Sequence, residues 1–114
     1  MPETRTPIQH LLIINLHRTQ INRQIIRRYL YGSEHRQPTV DYMAWIGNNI
    51  DLEINPLDVI MREVDWKLEQ HPGTRAICLV GGFQQEQMNA LSNEVERQTG
   101  LPVYPVLVDK LLGA

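Results

Sequence analysis

The chain has 114 residues, 42% of them hydrophobic and 21% charged, with a formal net charge of −2. These values fit one domain spanning 1–114, leave no room for a second, and exclude the polar, core-poor composition of a disordered segment. The single cysteine, Cys78, excludes an intrachain disulfide or a thiolate metal cage.

Residues Met1 to Pro7 lack the basic start and apolar stretch of a secretory signal, so a cytoplasmic chain with a flexible N-terminus over 1–8 is expected. The longest apolar cluster, Leu11 to Leu16, is interrupted by Asn15 and is far shorter than the roughly 18–20 residues that cross a bilayer, so no membrane insertion is expected. That cluster, from His10 to Leu16, is rich in β-branched residues and predicts a first strand buried on both faces. Thr19 to Tyr31 has two readings. As a helix it takes Thr19 as N-cap, Ile21, Ile25, Ile26, Tyr29 and Leu30 on one side, and Gly32 as its stop. As a strand it would return along the first one, although His17 to Gln20 contains no Gly, Asn or Asp for a tight hairpin. Local rules favour the helix.

Gly32 to Pro38 reads as a surface loop. Thr39 then predicts the cap of a short helix through Asn49, with Val40, Met43, Ala44 and Gly47 inward and Trp45 at the margin. Asn55 as N-cap, Pro56 at the first position and Asp58 in the first turn mark a further helix, whose apolar face is Leu57, Ile60, Met61, Val64 and Leu68. Pro72-Gly73 ends it. Arg75 to Val80 predicts a buried strand broken sharply at Gly81-Gly82. Gln84 to Thr99 predicts a helix with Met88, Leu91 and Val95 inward and Gly100 at its end. Pro102 to Val108 predicts a strand which, carrying Pro102 and Pro105, belongs at a sheet edge. The last five residues read as a tail. Strand, helix and strand in succession over residues 75–108 require a parallel pair with a right-handed crossover, so the fold class is α/β: one small layered domain with a mainly parallel sheet and packed helices.

Little in the sequence points to covalent or metal chemistry. His10, His17, His35 and His71 show no metal-ligand spacing, and neither Ser33 nor Ser92 lies in a nucleophile elbow. No catalytic residue, metal ligand or cofactor is therefore expected. Asp51, Glu53, Asp58, Glu63 and Asp65 crowd a short stretch as in a metal-dependent nuclease, but most fall on the outward side of the helix from Pro56, where Glu63 and Lys67 are spaced to pair, so a solvated face is the better reading. The best candidate for a small ligand is Gly81-Gly82-Phe83, because a strand-end turn entering a helix presents free backbone donors at the carboxyl edge of a sheet. Charge is asymmetric. Residues 1–37 carry six arginines against Glu3 and Glu34, whereas residues 38–114 carry five basic against eleven acidic residues. Arg18, Arg23, Arg27, Arg28 and Arg36, with Tyr29 and Tyr31, form the basic cluster. Arg23, Arg27 and Arg28 are its candidate partner-binding residues, toward a protein, a second copy of the chain or nucleic acid.

The linear pattern from Pro56 to Val108 adds a resemblance. A helix closing on Arg62 to Gln70, the strand Ile77-Cys-Leu-Val-Gly-Gly82, a second helix, and Thr99-Gly-Leu-Pro-Val103 resemble the C-terminal part of the actin-like proteins of type IV pilus assembly, the PilM-like proteins and their MSHA-pilus relatives. The resemblance covers about half of the chain. It implies an RNase H/actin-like half-fold, favours the hairpin reading of residues 10–31, and implies that Gly81 and Gly82 lie near a nucleotide. The family begins with an Asp-Ile-Gly phosphate-binding strand, where this chain has Asn15 and no glycine, so the resemblance implies a retained scaffold rather than a working ATPase. The leading expectation is a non-catalytic protein-interaction module or assembly adaptor. The alternatives are a small-molecule or nucleotide-phosphate binder using Gly81-Gly82, and a nucleic-acid binder using the arginine-rich half.

Overall fold

The computed structural model describes residues 10–31 and 41–112. The expected flexible stretch 1–8, the surface loop 32–38 and the Thr39 cap lie outside the described residues. The elements in chain order are β1 (Leu11–Asn15), α1 (Arg23–Tyr31), β2 (Asp41–Trp45), a 3-10 turn (Ile50–Leu52), α2 (Pro56–Gln70), β3 (Ala76–Gly81), α3 (Gln85–Thr99), β4 (Val103–Leu107) and α4 (Val108–Leu112).

The four strands form one sheet in the order β2-β1-β3-β4, with every neighbouring pair parallel. Period-two alternation assigns the faces. In β1, Leu12 and Ile14 join one core cluster while Leu11 and Ile13 join the other; in β3, Ile77 and Leu79 are divided from Ala76, Cys78 and Val80 in the same way. Ile60 and Val64 of α2 and Met88, Leu91 and Val95 of α3 complete the first cluster. Ile26 of α1 and Val108 of α4 belong to the second, with Leu30 and Leu111 packed against it. The chain steps one way from β1 to β2 and the opposite way from β2 to β3 to β4. Crossovers of a single hand therefore require α1 on one face and α2 and α3 on the other, as observed.

This architecture bears out the α/β class and corrects several local expectations. Residues 10–31 are not a hairpin: β1 pairs with β2 along one edge and β3 along the other, so it has no free ladder for a returning strand. The helix reading holds, but α1 begins at Arg23. Its cap is Asn22, whose side-chain Oδ1 accepts the Gln24 N–H at 2.7 Å, and not Thr19. The helix expected from Thr39 to Asn49 is instead β2 and a turn, because the free edge of β1 recruits Asp41–Trp45 residue for residue, Leu11 opposite Asp41 through Asn15 opposite Trp45. Gly81 does not break β3; it is a ladder residue opposite Leu107, and the break comes at Gly82. The C-terminal tail is helical as far as Leu112, because Val108 and Leu111 have apolar surface to cover. β4 is an edge strand, as its prolines require. Gly100 ends α3 in the left-handed conformation, with φ at +76°.

Candidate ligand cleft at the carboxyl edge of the sheet

Asn15, the last residue of β1, is fully buried and turns the chain that follows. Its Oδ1 accepts the His17 N–H at 2.8 Å, and its Nδ2 lies 3.5 Å from the Thr19 carbonyl. The strand ends are tied together just beyond: the Leu16 N–H donates to the Val80 carbonyl at 2.7 Å, and the Ile46 N–H to the Asn15 carbonyl at 3.0 Å. Trp45 Nε1–H donates to the His17 carbonyl at 2.9 Å. Gly47 passes so close to that carbonyl that a Cβ there would stand 1.7 Å from its oxygen, which is why this position requires glycine.

The β1–α1 connection steps to one side of the sheet and the β3–α3 connection to the other, so a crevice opens between the carboxyl ends of β1 and β3, where doubly wound sheets hold their ligands. The cleft here has a volume of about 1020 Å³. Its walls come from three connections: Leu16, His17 and Arg18 after β1; residues 47–50 and 52–54 after β2; and Gly82 and Phe83 after β3. Leu52 and Phe83 pack into the core at its base, whereas Ile50 and Ile54 stand about 80% exposed. Asn49 orders the second wall, its Oδ1 accepting the Asp51 N–H at 2.9 Å.

The polar lining is rich in donors. His17 Nδ1 lies 3.2 Å from both the amide nitrogen and the carbonyl oxygen of Thr19, so either tautomer anchors the ring by that atom and leaves Nε2 for another partner. The ring faces Gly82, where a Cβ would come within 3.7 Å of His17 Cδ2. Among the described residues, the amides of Gly47, Asn48, Gly82 and Phe83 have no protein acceptor. Arg18 supplies the lining's guanidinium and Glu53 its carboxylate, 3.8 Å apart and both largely exposed.

Of the residues singled out from sequence, Gly82 and Phe83 line this cleft, and so does Arg18 of the basic cluster. Gly81 lies beneath it, where a Cβ would meet Met88 Sδ at 3.1 Å and Leu16 Cβ at 3.2 Å, so its small size serves packing. Arg23 and Arg27 are brought together elsewhere, on the Asp41 carboxylate at 3.4 and 3.2 Å, and that carboxylate is only 3% exposed. The Arg27 Nε contact is an ion pair without hydrogen-bond alignment. Arg28 is exposed in the last turn of α1 and is not part of this pair. His17, Asn48, Asn49 and Glu53 were not legible as site residues. They converge only once β2 is a strand and its carboxyl end stands beside that of β1.

Fold and site together define a doubly wound parallel α/β domain with an open cleft at its topological switch point. No family model matches the chain, and no curated protein or solved structure is similar enough to count as a match. Among the described residues, no helix is long and apolar enough to cross a membrane, and no three His, Cys, Asp or Glu residues are grouped to hold a metal ion.

Proposed function

We propose that this protein is a small-molecule-binding domain whose ligand, bearing a phosphate or similar anion, occupies the carboxyl-edge cleft. The observation that carries this reading is the coincidence of the cleft with the β1/β3 switch point. The donor-rich lining sets the charge of the ligand: an arginine, a histidine nitrogen and four uncommitted amides complement an anion, while Phe83, Ile50 and Ile54 suit an apolar body. The resemblance of residues 56–108 to actin-like proteins would make that ligand a nucleotide. A cytoplasmic location accords with a ligand of this kind.

Thermal-shift screening against nucleotides and sugar phosphates tests the reading. A ligand at about 100 times its Kd adds about 2.7 kcal/mol of stability, a rise of several degrees in Tm. Gly82→Val fills the space beside His17 at an exposed position without positive φ, so it should fold normally and lose the rise. No shift with any phosphate-bearing compound would contradict the proposal.

The second reading, an interaction module or adaptor in a larger assembly, draws support from exposed large apolar side chains: Ile50, Ile54, Trp66 and Tyr29 are each about half exposed or more. Light scattering at low and high salt tests it, and a monomer at all concentrations would count against self-association. The nucleic-acid reading gains no comparable support, since Arg23 and Arg27 are engaged with Asp41.

A further inference from the structure

Arg18 and Glu53 face each other across the cleft from different connections, Arg18 after β1 and Glu53 just after the 3-10 turn that follows β2. They are the cleft's guanidinium and its carboxylate, and each is the other's partner. We infer, building on the cleft as a ligand site, that Glu53 competes with the ligand's anionic group for Arg18, and that the group displacing it is a phosphate monoester rather than a carboxylate.

The contact is a single long one of 3.8 Å between side chains 86% and 79% exposed, so solvent screens it heavily and little opposes its opening. A ligand carboxylate that took Arg18 would replace one carboxylate by another and gain little from the exchange. A phosphate brings more charge and three strong acceptor oxygens, enough to engage Arg18 and the uncommitted amides of Gly47, Asn48 or Gly82 at once. Glu53 thereby competes for Arg18 with every anion that would use it, and a group with several acceptors retains affinity through the amides.

The test uses two probes with the same apolar body, phenyl phosphate and benzoate, titrated into the full chain while backbone amide shifts are followed. In the wild type, phenyl phosphate should perturb Gly47, Asn48, Gly82 and Phe83 and bind more tightly than benzoate. Glu53→Gln should tighten phenyl phosphate about two- to fivefold, the range an exposed ion pair supports, and leave it the tighter binder of the two probes. In the Arg18→Gln background the Glu53→Gln effect should vanish, which separates release of Arg18 from mere removal of a negative charge. Both side chains are exposed, so the variants should keep the wild-type spectrum away from the cleft. Phenyl phosphate binding unchanged by Glu53→Gln, or tightened equally with and without Arg18, would overturn the inference and leave the cleft as a site. Silence of both probes in the wild type and in Glu53→Gln would overturn the site itself.

Discussion

Gly47 shows how much of the cleft depends on single positions. Its Cβ would lie 1.7 Å from a backbone oxygen, which cannot be relieved by a rotamer change, so Gly47→Ala should cost about 3 kcal/mol or more in denaturant unfolding. Gly73 has nothing within 4 Å of its Cβ position and no positive φ, so Gly73→Ala should be neutral or stabilise by about 0.5 kcal/mol. Equal effects at the two sites would refute the close approach of β2's connection to the end of β1. Cys78 reports on the core from within. It is fully buried in β3, and burial pushes its thiol from an ordinary 9.0 up to about 12. Between those values the unfolded chain releases a proton that the folded chain retains, so stability should fall by roughly 1 kcal/mol per pH unit as pH rises through that window, and not change from this source below it. Urea midpoints should show this decline flattened in Cys78→Ala; the same slope in both chains would contradict it.

At the scale of elements, helices with a wide apolar stripe and strands with an unbroken apolar run were legible from sequence. α2 carries Ile60 and Val64 at helical spacing behind Pro56, and β1 and β3 are apolar at nearly every position, so each declares its own period. β2 does not. Asp41-Tyr-Met-Ala-Trp45 has neither the β-branched content nor the strict alternation of a strand, and its conformation is decided by the open edge of β1, a partner remote in sequence. The start of α1 was displaced for a local reason: Thr19 and Asn22 are both good caps, and the Thr19 N–H is within reach of His17 Nδ1 while Asn22 Oδ1 takes the helix amide. Asn22→Ala should therefore cost about 1 kcal/mol, whereas Thr19→Ala should stay within about 0.5 kcal/mol. Circular dichroism with thermal melts distinguishes the two, and the reverse order would return the cap to Thr19.

For the whole molecule, the site is a property of strand order. Gly82 and Phe83 could be read from the sequence because glycines after an apolar run mark a strand end, but a strand end is only a third of this cleft. His17 and Arg18 belong to the end of β1, and Asn48, Asn49 and Glu53 to the connection after β2. The order β2-β1-β3-β4 brings those three ends side by side, and no spacing along the chain records that adjacency. The arginine surplus of the first third was legible as a charge pattern, but its destination was not: Arg23 and Arg27 meet Asp41, at the start of the strand the sequence concealed. The parallel sheet with β1 central gives the molecule one edge where connections part and leave room, and the proposed function follows from that edge. Amide-resolved mapping of phosphate-bearing ligands on the full chain tests this most directly. Perturbations should be confined to Leu16–Arg18, Gly47–Asn49 and Gly82–Phe83; perturbations gathered instead at the amino edge, where Tyr42 stacks on His71 and lies beside His10, would contradict the cleft as the site.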